Sequence, residues 1–547
     1  MSREQPLEDL VRSYFERNAV RPIRIGIRAF PGETIVVVEV ASQLEEAIRI
    51  GSELDPQIEN GFVTVRLVEE TAAKSPTPVS SIRDVRISKL IGLLEARSRT
   101  SEVQPSLRYV EDVEGRLQVA KAPRHHLIFG RRGAGKSALM METRSQLEKA
   151  GIQIVWLNIQ SVRELGSEGA FLSLASRLCE LPITQFASRP TPPQSLARAR
   201  ELKSRTDALL TGTAPRKTSS LLIPQLNQLL RVYCAETQVP VYVFLDDVHY
   251  LPYDEQAQFL DKVHGLTRDN PVWLKVAGIR HQMRWFVPEP PTGLQLPHDA
   301  NEIDLDITLQ EPERARLVLQ GVLDGFVDEC DARPRRGFIG ASALDRLVLA
   351  SGAVPRDFVT LCARSIQVAR GRTKARTTGV QDVNEAAGQA SKAKLQELEE
   401  DASAALGTAG PVVNALQYVR RFCLETNQRS YFRVEFGDKE RHSDGYALVQ
   451  RLLDLRFLHL IHGSLSDQHH VGRRSEVYLL DLSEYTGARL KQQLWVLDLD
   501  AGHLLLKKTR STEVPRIGDS PRRLVAILRL CPVLELEPLR IAAARTA

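Results

Sequence analysis

Residues 125–140 read HHLIFGRRGAGKSALM. An apolar run, Leu127 to Phe129, stops at a glycine-rich cationic turn, and helix-forming residues follow from Lys136 to about Lys149. Gly130, Gly135, Lys136 and Ser137 fit the spacing G-x-x-x-x-G-K-[ST]. A strand, a glycine turn and a helix N-terminus in that order aim backbone N–H groups and the positive end of the helix at one point, which suits phosphate. Gly133, Ala134 and Gly135 keep the turn small enough to close around it, and Ala138 continues the first helical turn. Lys136 then reaches the β- and γ-phosphates, and Ser137 offers its hydroxyl to Mg²⁺.

Such a turn needs carboxylates for the metal and for water. VYVFLDD, residues 241–247, supplies five apolar residues and then Asp246 and Asp247 at the carboxyl end of a strand, where parallel sheets place ligands. Asp246 is the expected Mg²⁺ ligand and Asp247 the expected water-polarising base.

The turn lies in a chain of 547 residues, too long for one core. A net charge of +5 is mild, and six scattered cysteines without a C-x-x-C pair argue against zinc and disulfides and suit a reducing cytosol. No apolar run approaches a membrane span, and the charged opening MSREQPLEDL does not read as a signal peptide. A cytoplasmic multidomain protein is expected.

Residues 1–72 read as a small α+β unit of helix, two strands, helix and strand, and 73–104 as a linker with the Pro/Ser/Thr-rich TAAKSPTPVSS. Between 105 and 309 the apolar runs HHLIFG, IQIVWLN, VYVFLDD, VWLKVAGI and EIDLDITL alternate with helical segments, the pattern of a parallel α/β sheet. The basic stretch 188–220 reads as a solvated insertion on the sheet's edge. Residues 310–400 are helical throughout, 408–490 read as two helices and a hairpin, and 491–547 as a further α+β piece ending in a strand, PVLELEPL.

The phosphate turn, the strand ending in two aspartates, a later strand ending in GIR, a helical lid and a C-terminal winged helix together resemble the AAA+ ATPases. The likeness is greatest to the origin-recognition-complex-like branch and to the bacterial STAND-type ATPases, over roughly residues 100–490. The resemblance implies ATP and Mg²⁺ as cofactors. It makes Arg280, or its competitor Arg284, a γ-phosphate sensor or an arginine finger acting on a neighbouring subunit. It also makes Arg356 of SGAVPRDF a lid arginine over the phosphates, and sets Arg108 and Tyr109 against adenine. The origin-recognition branch usually carries Glu where this chain has Asp247. One methylene less draws the carboxylate back by about 1.5 Å, so slow turnover or a nucleotide-held switch is expected.

In the winged-helix reading, Ser443 caps a helix with Leu448, Val449, Leu452 and Leu453 on one face and Tyr446, Gln450 and Arg451 on others. The hairpin loop carries His469, His470, Arg473 and Arg474. From residue 411 to 547 there are 21 Lys+Arg against 16 Asp+Glu, 21 − 16 = +5, equal to the whole chain's charge. Arg451, Arg473 and Arg474 are the candidate contacts to double-stranded DNA. Two functions follow: an initiator-like ATPase that assembles and engages DNA in replication, transposition or defence, or a signalling ATPase that oligomerises and recruits a separate effector through residues 1–72.

Overall fold

The computed structural model describes residues 4–544 apart from 31–32, 41–42, 59, 68–78, 80, 98–114, 190, 192, 213–215, 333–336, 405–408, 487–492 and 510–520. The chain divides into two compact units, Met1–Pro78 and Val79–Ala547. In the first, helix α1 (Glu4–Arg17) precedes strands β1 (Pro22–Phe30) and β2 (Glu33–Val40), and α2 (Leu44–Leu54) precedes β3 (Gly61–Leu67). β1 is antiparallel to β2, whereas the helical crossover makes β3 parallel to it. Ala47, Ile50 and Leu54 at helical spacing and Val36, Val38 and Val40 at period two meet in one core with Val11 and Phe15. The Pro-Gly turn expected at 31–32 lies outside the described residues.

The second unit opens with α3 (Val85–Arg97). This corrects the linker reading for residues 85–97, where Ile87, Leu90, Ile91 and Leu94 form a helical stripe and are buried in the largest core; residues 73–78, 80 and 98–104 of that reading lie outside the described residues. There follow α4 (Arg116–Lys121), β4 (His126–Phe129), α5 (Lys136–Lys149), β5 (Gln153–Asn158), α6 (Gly166–Gln185), α7 (Gln194–Leu210) and α8 (Leu222–Thr237). Next come β6 (Val241–Asp246), α9 (Tyr253–Thr267), β7 (Val272–Gly278), the small hairpin β8 (Phe286–Pro288) and β9 (Pro291–Gly293), and β10 (Asn301–Asp304).

Five strands form an all-parallel sheet in the order β10-β4-β7-β6-β5. It is covered on both faces, so β6 reads as a continuous apolar run. Val243 and Leu245 pack toward α6, α7, α8 and α9, and Tyr242 and Phe244 toward α4 and α5. The solvated-insertion reading of 188–220 is corrected by α7, whose Leu196, Ala199, Leu202 and Leu209 are buried in that first core.

The lid is α10 (Pro312–Glu329), α11 (Ala341–Ala350), α12 (Pro355–Gly371) and α13 (Val380–Ala404). After α14 (Ala409–Arg421) and a π-helical turn come β11 (Tyr431–Glu435), α15 (Phe436–Arg441), α16 (Ser443–Asp454), β12 (Leu458–Ser466) and β13 (Arg474–Leu480). These three strands form an antiparallel sheet in the order β11-β13-β12. Ser443 opens α16 and does not cap it: the residue in the capping position is His442, without a side-chain bond. Gln450 is buried among the core-facing residues and donates to the Tyr478 hydroxyl at 3.4 Å.

The chain closes with the hairpin β14 (Trp495–Asp500) and β15 (His503–Lys508), then α17 (Pro521–Arg529) and α18 (Leu536–Ala544). The expected last strand is corrected here: Val533 makes one bridge to Arg433, and a helix starts at Leu536. Leu536, Leu539 and Ala543 are buried at helical spacing, Pro538 is tolerated in the first turn, and Asp438 Oδ2 accepts the N–H of Leu536 at 2.8 Å. No described helix is long and apolar enough to cross a membrane.

Candidate nucleotide site

The glycine turn joins β4 to α5. Gly133 and Gly135 adopt φ of 86° and 102°, a region that side chains disfavour. A Cβ at Gly133 would also lie 2.9 Å from Arg356 Cβ and 3.1 Å from Val354 Cγ1, so the lid packs directly on the turn. Lys136 is buried, and its Nζ donates to the carbonyl oxygens of Gly130 (2.8 Å) and Arg131 (3.2 Å). Burial draws its pKa below the ordinary lysine value, while Asp247, Asp246 and Asp306 oppose the shift.

Ser137 Oγ donates to Asp246 Oδ2 at 2.8 Å. The other carboxylate oxygen of Asp246 is buried without a hydrogen-bond partner. Burial first, then the adjoining Asp247, push Asp246 up to about 7, and burial also raises Asp247. A bare buried carboxylate oxygen beside a hydroxyl is a hard-oxygen set that fits Mg²⁺, and the buried ammonium next to it fits phosphate. The residues present therefore suit a magnesium nucleotide, with Ser137 and Asp246 toward the metal and Lys136 and the turn's backbone toward the phosphates.

Asp247 leaves β6 in the left-handed conformation, φ 60° and ψ 39°, which sets it apart from the strand direction. His249 Nδ1 stands 3.9 Å from Asp247 Oδ1, and burial pushes the imidazole down to about 3, so this ring is neutral. Arg356 follows Pro355 at the start of α12, and its backbone N–H donates to Gly133 O at 3.4 Å. Its charge acts on both Lys136 and Asp247. The backbone and Cβ of Arg356 thus lie against the turn.

Arg280 and Arg284 are placed differently. Arg280 is paired with Glu302 and Asp304 of β10, and its guanidinium lies 4.4 Å from the Phe129 ring centroid. Arg284 pairs with Asp254 at 3.1 Å over the ring of Tyr253 and is 38% exposed. Their partners lie outside the Lys136–Ser137–Asp246 cluster. Arg108 and Tyr109 lie outside the described residues.

Sequence reasoning missed Arg131 and Asp306. The backbone N–H of Arg131 donates to Asp306 Oδ1 at 2.7 Å, and its buried guanidinium donates to Ile307 O at 2.8 Å, tying the turn to the chain that leaves β10. The only signal was a second arginine inside a turn whose variable positions carry no motif requirement.

The three arginines considered for DNA are divided. Arg473 on the β12–β13 connection and Arg474 at the first position of β13 are exposed, and Asp467 shapes the connection by accepting the backbone N–H groups of His469 (2.8 Å) and His470 (2.9 Å). Arg451 is half-buried, and its charge acts on His249 and Asp454. Asp454, at the end of α16, accepts from Gln282 Nε2 at 3.1 Å. This end of α16 therefore faces the domain built on the parallel sheet.

Residues 108–274 match the family model described as AAA ATPase domain. No curated protein matches the chain. Among solved structures, Aeropyrum pernix ORC1 in complex with DNA is similar at 13% identity, with 74% of this chain and 91% of that chain covered and a TM-score of 0.32. The Thermotoga maritima RuvB Holliday junction branch migration motor is similar at 14% identity, with 57% and 86% covered and a TM-score of 0.29. The family match falls on the segment that holds Lys136, Ser137, Asp246 and Asp247.

Proposed function

We propose that the protein is a slow, ATP-dependent AAA+ switch whose nucleotide state governs assembly and engagement of double-stranded DNA. The observation that carries this reading is the junction of Ser137, Asp246 and Lys136 with a lid arginine, Arg356, seated on the same glycine turn. ATP and Mg²⁺ bind the turn, Asp247 polarises the attacking water, and the lid follows the phosphates through Arg356. The domain at 408–490 acts as a winged helix whose exposed Arg473 and Arg474 meet the DNA backbone. Lys136→Ala abolishes ATP binding and Asp247→Asn keeps binding but suppresses turnover, both measured with radiolabelled ATP. Arg473→Ala with Arg474→Ala weakens duplex binding whatever the sequence, and each lost phosphate contact lowers the log–log salt slope by about 0.9 in fluorescence anisotropy. An unchanged slope removes the DNA role of this loop.

A second reading is favoured by the Gln282–Asp454 bond and by Arg451 facing the core. In it the 408–490 domain holds a signalling ATPase closed, and residues 1–72 recruit a separate effector once the chain oligomerises. Duplex binding that is absent in every nucleotide state, together with ATP-dependent assembly, selects this reading.

A further inference from the structure

The Asp247 carboxylate, one methylene shorter than a glutamate, accepts no hydrogen bond that would hold it among the described residues. After Asp247 the chain makes a single 3₁₀ turn, Val248–Tyr250. Val248 is fully buried in the core that α6 to α9 form against the sheet, which pins the turn. The N–H of Tyr250 donates to Asp247 O at 3.1 Å and closes it. His249 is thereby carried back beside Asp247, with Nδ1 3.9 Å from Oδ1.

The His249 side chain is only 7% accessible, and its Nδ1 is buried with no hydrogen-bond partner among the described residues. Buried polar atoms nearly always have partners, so an orphan of this kind calls for an explanation. The ring is held from the phosphate side: its centroid lies 4.6 Å from that of Tyr250, and the Tyr250 hydroxyl accepts from Arg132 of the glycine turn at 3.2 Å. Burial, together with the charges of Lys136, Arg132 and Arg451, keeps the imidazole neutral. A neutral imidazole carries one N–H and places it on the nitrogen that meets an acceptor. The acceptor in front of Nδ1 is a carboxylate that itself lacks a donor. Their separation is longer than a hydrogen bond, but catalytic hydrogen bonds commonly stand long without substrate and tighten when it is bound.

We propose that His249 is a positioning residue for ATP hydrolysis: its Nδ1–H donates to Asp247 Oδ1 and fixes the carboxylate toward the attacking water. Orientation then supplies part of what the missing methylene takes away in reach. The imidazole gives up no proton. Asp247 Oδ2 takes the proton of the water as its oxygen bonds to the γ-phosphorus, and ADP leaves with the electrons of the broken P–O bond. The inference rests on the reading of Asp247 as the base and deepens it.

The test is single-turnover hydrolysis of radiolabelled ATP by the full chain with Mg²⁺, alongside the affinity for a non-hydrolysable ATP analogue and the melting temperature. His249→Leu removes the donor and slows hydrolysis about 10- to 100-fold, a share of the roughly 10²–10⁴-fold that a general base supplies. Its affinity for the analogue is unchanged. His249→Asn, whose amide nitrogen is bonded to Cγ as Nδ1 is, restores most of the rate, whereas His249→Gln, whose amide falls where Nε2 lies, does not. Asp247→Asn combined with His249→Leu is no slower than Asp247→Asn alone, because the two side chains act as a unit. A merely structural imidazole would instead give additive losses. Wild-type hydrolysis by His249→Leu, a rate for His249→Asn as low as that of His249→Leu, or additive losses in the double variant overturns the proposal. If His249→Leu does not fold, the contrast between His249→Asn and His249→Gln decides it, and equal rates in those two overturn it. Wild-type hydrolysis by Asp247→Asn would remove the base itself and this role with it, an outcome distinct from normal hydrolysis by His249→Leu alone.

Discussion

Ser137 donates its hydroxyl hydrogen to Asp246 across 2.8 Å, joining the first turn of one helix to the end of a strand that is not its sheet neighbour. The pair sits where burial holds the Asp246 proton up to about 7. A divalent cation must take the place of that proton below this value and need not above it. The affinity for magnesium ATP is expected to fall about tenfold from pH 8 to pH 6, measured by calorimetry at fixed ionic strength. Asp246→Asn removes the dependence together with the metal requirement. A flat profile in the wild type would show that the carboxylate is ionised throughout.

The same shift bears on stability with a definite sign. The folded protein holds the Asp246 proton more tightly than the unfolded chain, so ionisation penalises the metal-free fold. The penalty is absent well below the ordinary carboxylate value of 3.8 and complete above about 7. Asp246→Asn is therefore expected to raise the melting temperature of the metal-free protein more at pH 8 than at pH 5. An equal gain at both values would contradict it.

Gly133→Ala tests the seat of the lid. The new methyl would meet Arg356 Cβ at 2.9 Å in a backbone conformation of φ 86°. Strain of about 1–3 kcal/mol is expected, seen as a lower melting temperature together with weaker ATP binding. Gly115→Ala, also at positive φ but with open space around its Cβ, serves as the control for backbone strain alone and leaves ATP affinity in place.

Arg284 and Arg280 separate in their effects on assembly. Arg280 is committed to Glu302 and Asp304 in its own chain, so Arg280→Ala lowers stability. Arg284 makes an exposed ion pair with Asp254, whose side chain is 88% accessible, and such pairs contribute about 0–1 kcal/mol. Arg284→Ala is expected to leave stability and ATP affinity nearly unchanged while blocking ATP-driven assembly, followed by light scattering after size exclusion. Normal assembly in this variant would discard the trans-acting role.

Asp481 bears on the packing of the lid against the C-terminal region. It is buried and accepts from His459 Nε2 at 2.7 Å, from Lys394 Nζ at 3.0 Å and from Ser483 N at 3.0 Å. Burial keeps His459 neutral, so its Nε2–H is the donor. Asp481→Asn leaves the ammonium of Lys394 without its counter-charge, at an expected cost of about 3–5 kcal/mol, read by urea unfolding.

Where an element's partners lie within its own periodicity, the sequence was readable. The apolar run of β6 announces a strand covered on both faces, and Lys136, Ser137 and Asp246 stand at strand and helix ends whose spacing is set locally. Partners supplied from far along the chain left less trace. The stripe of α3 looked like part of a linker because the lid that buries it comes more than two hundred residues later. Leu536 and Leu539 looked like strand residues because the helical surface they pack on, and the Asp438 that caps them, are about a hundred residues earlier. Arg280 resembled a free sensor because Glu302 and Asp304, which hold it, belong to the last strand of the sheet.

The strand order has a consequence for how the molecule is made. Among the described residues β4, which leads into the glycine turn, pairs with β7 and β10: Leu127 lies opposite Val276 on one side and Glu302 on the other. Its nearest strands in sequence, β5 and β6, pair with each other and leave it no edge until β7 arrives. On a ribosome the turn would emerge roughly 150 residues before the first neighbour that can hold it in place. The ends of that wide loop must meet before any contact rewards the closure, which makes such pairing intrinsically slow. Nucleotide capture is therefore one of the last abilities a nascent chain acquires, and the α-helical layer from α6 to α9 is free to condense first.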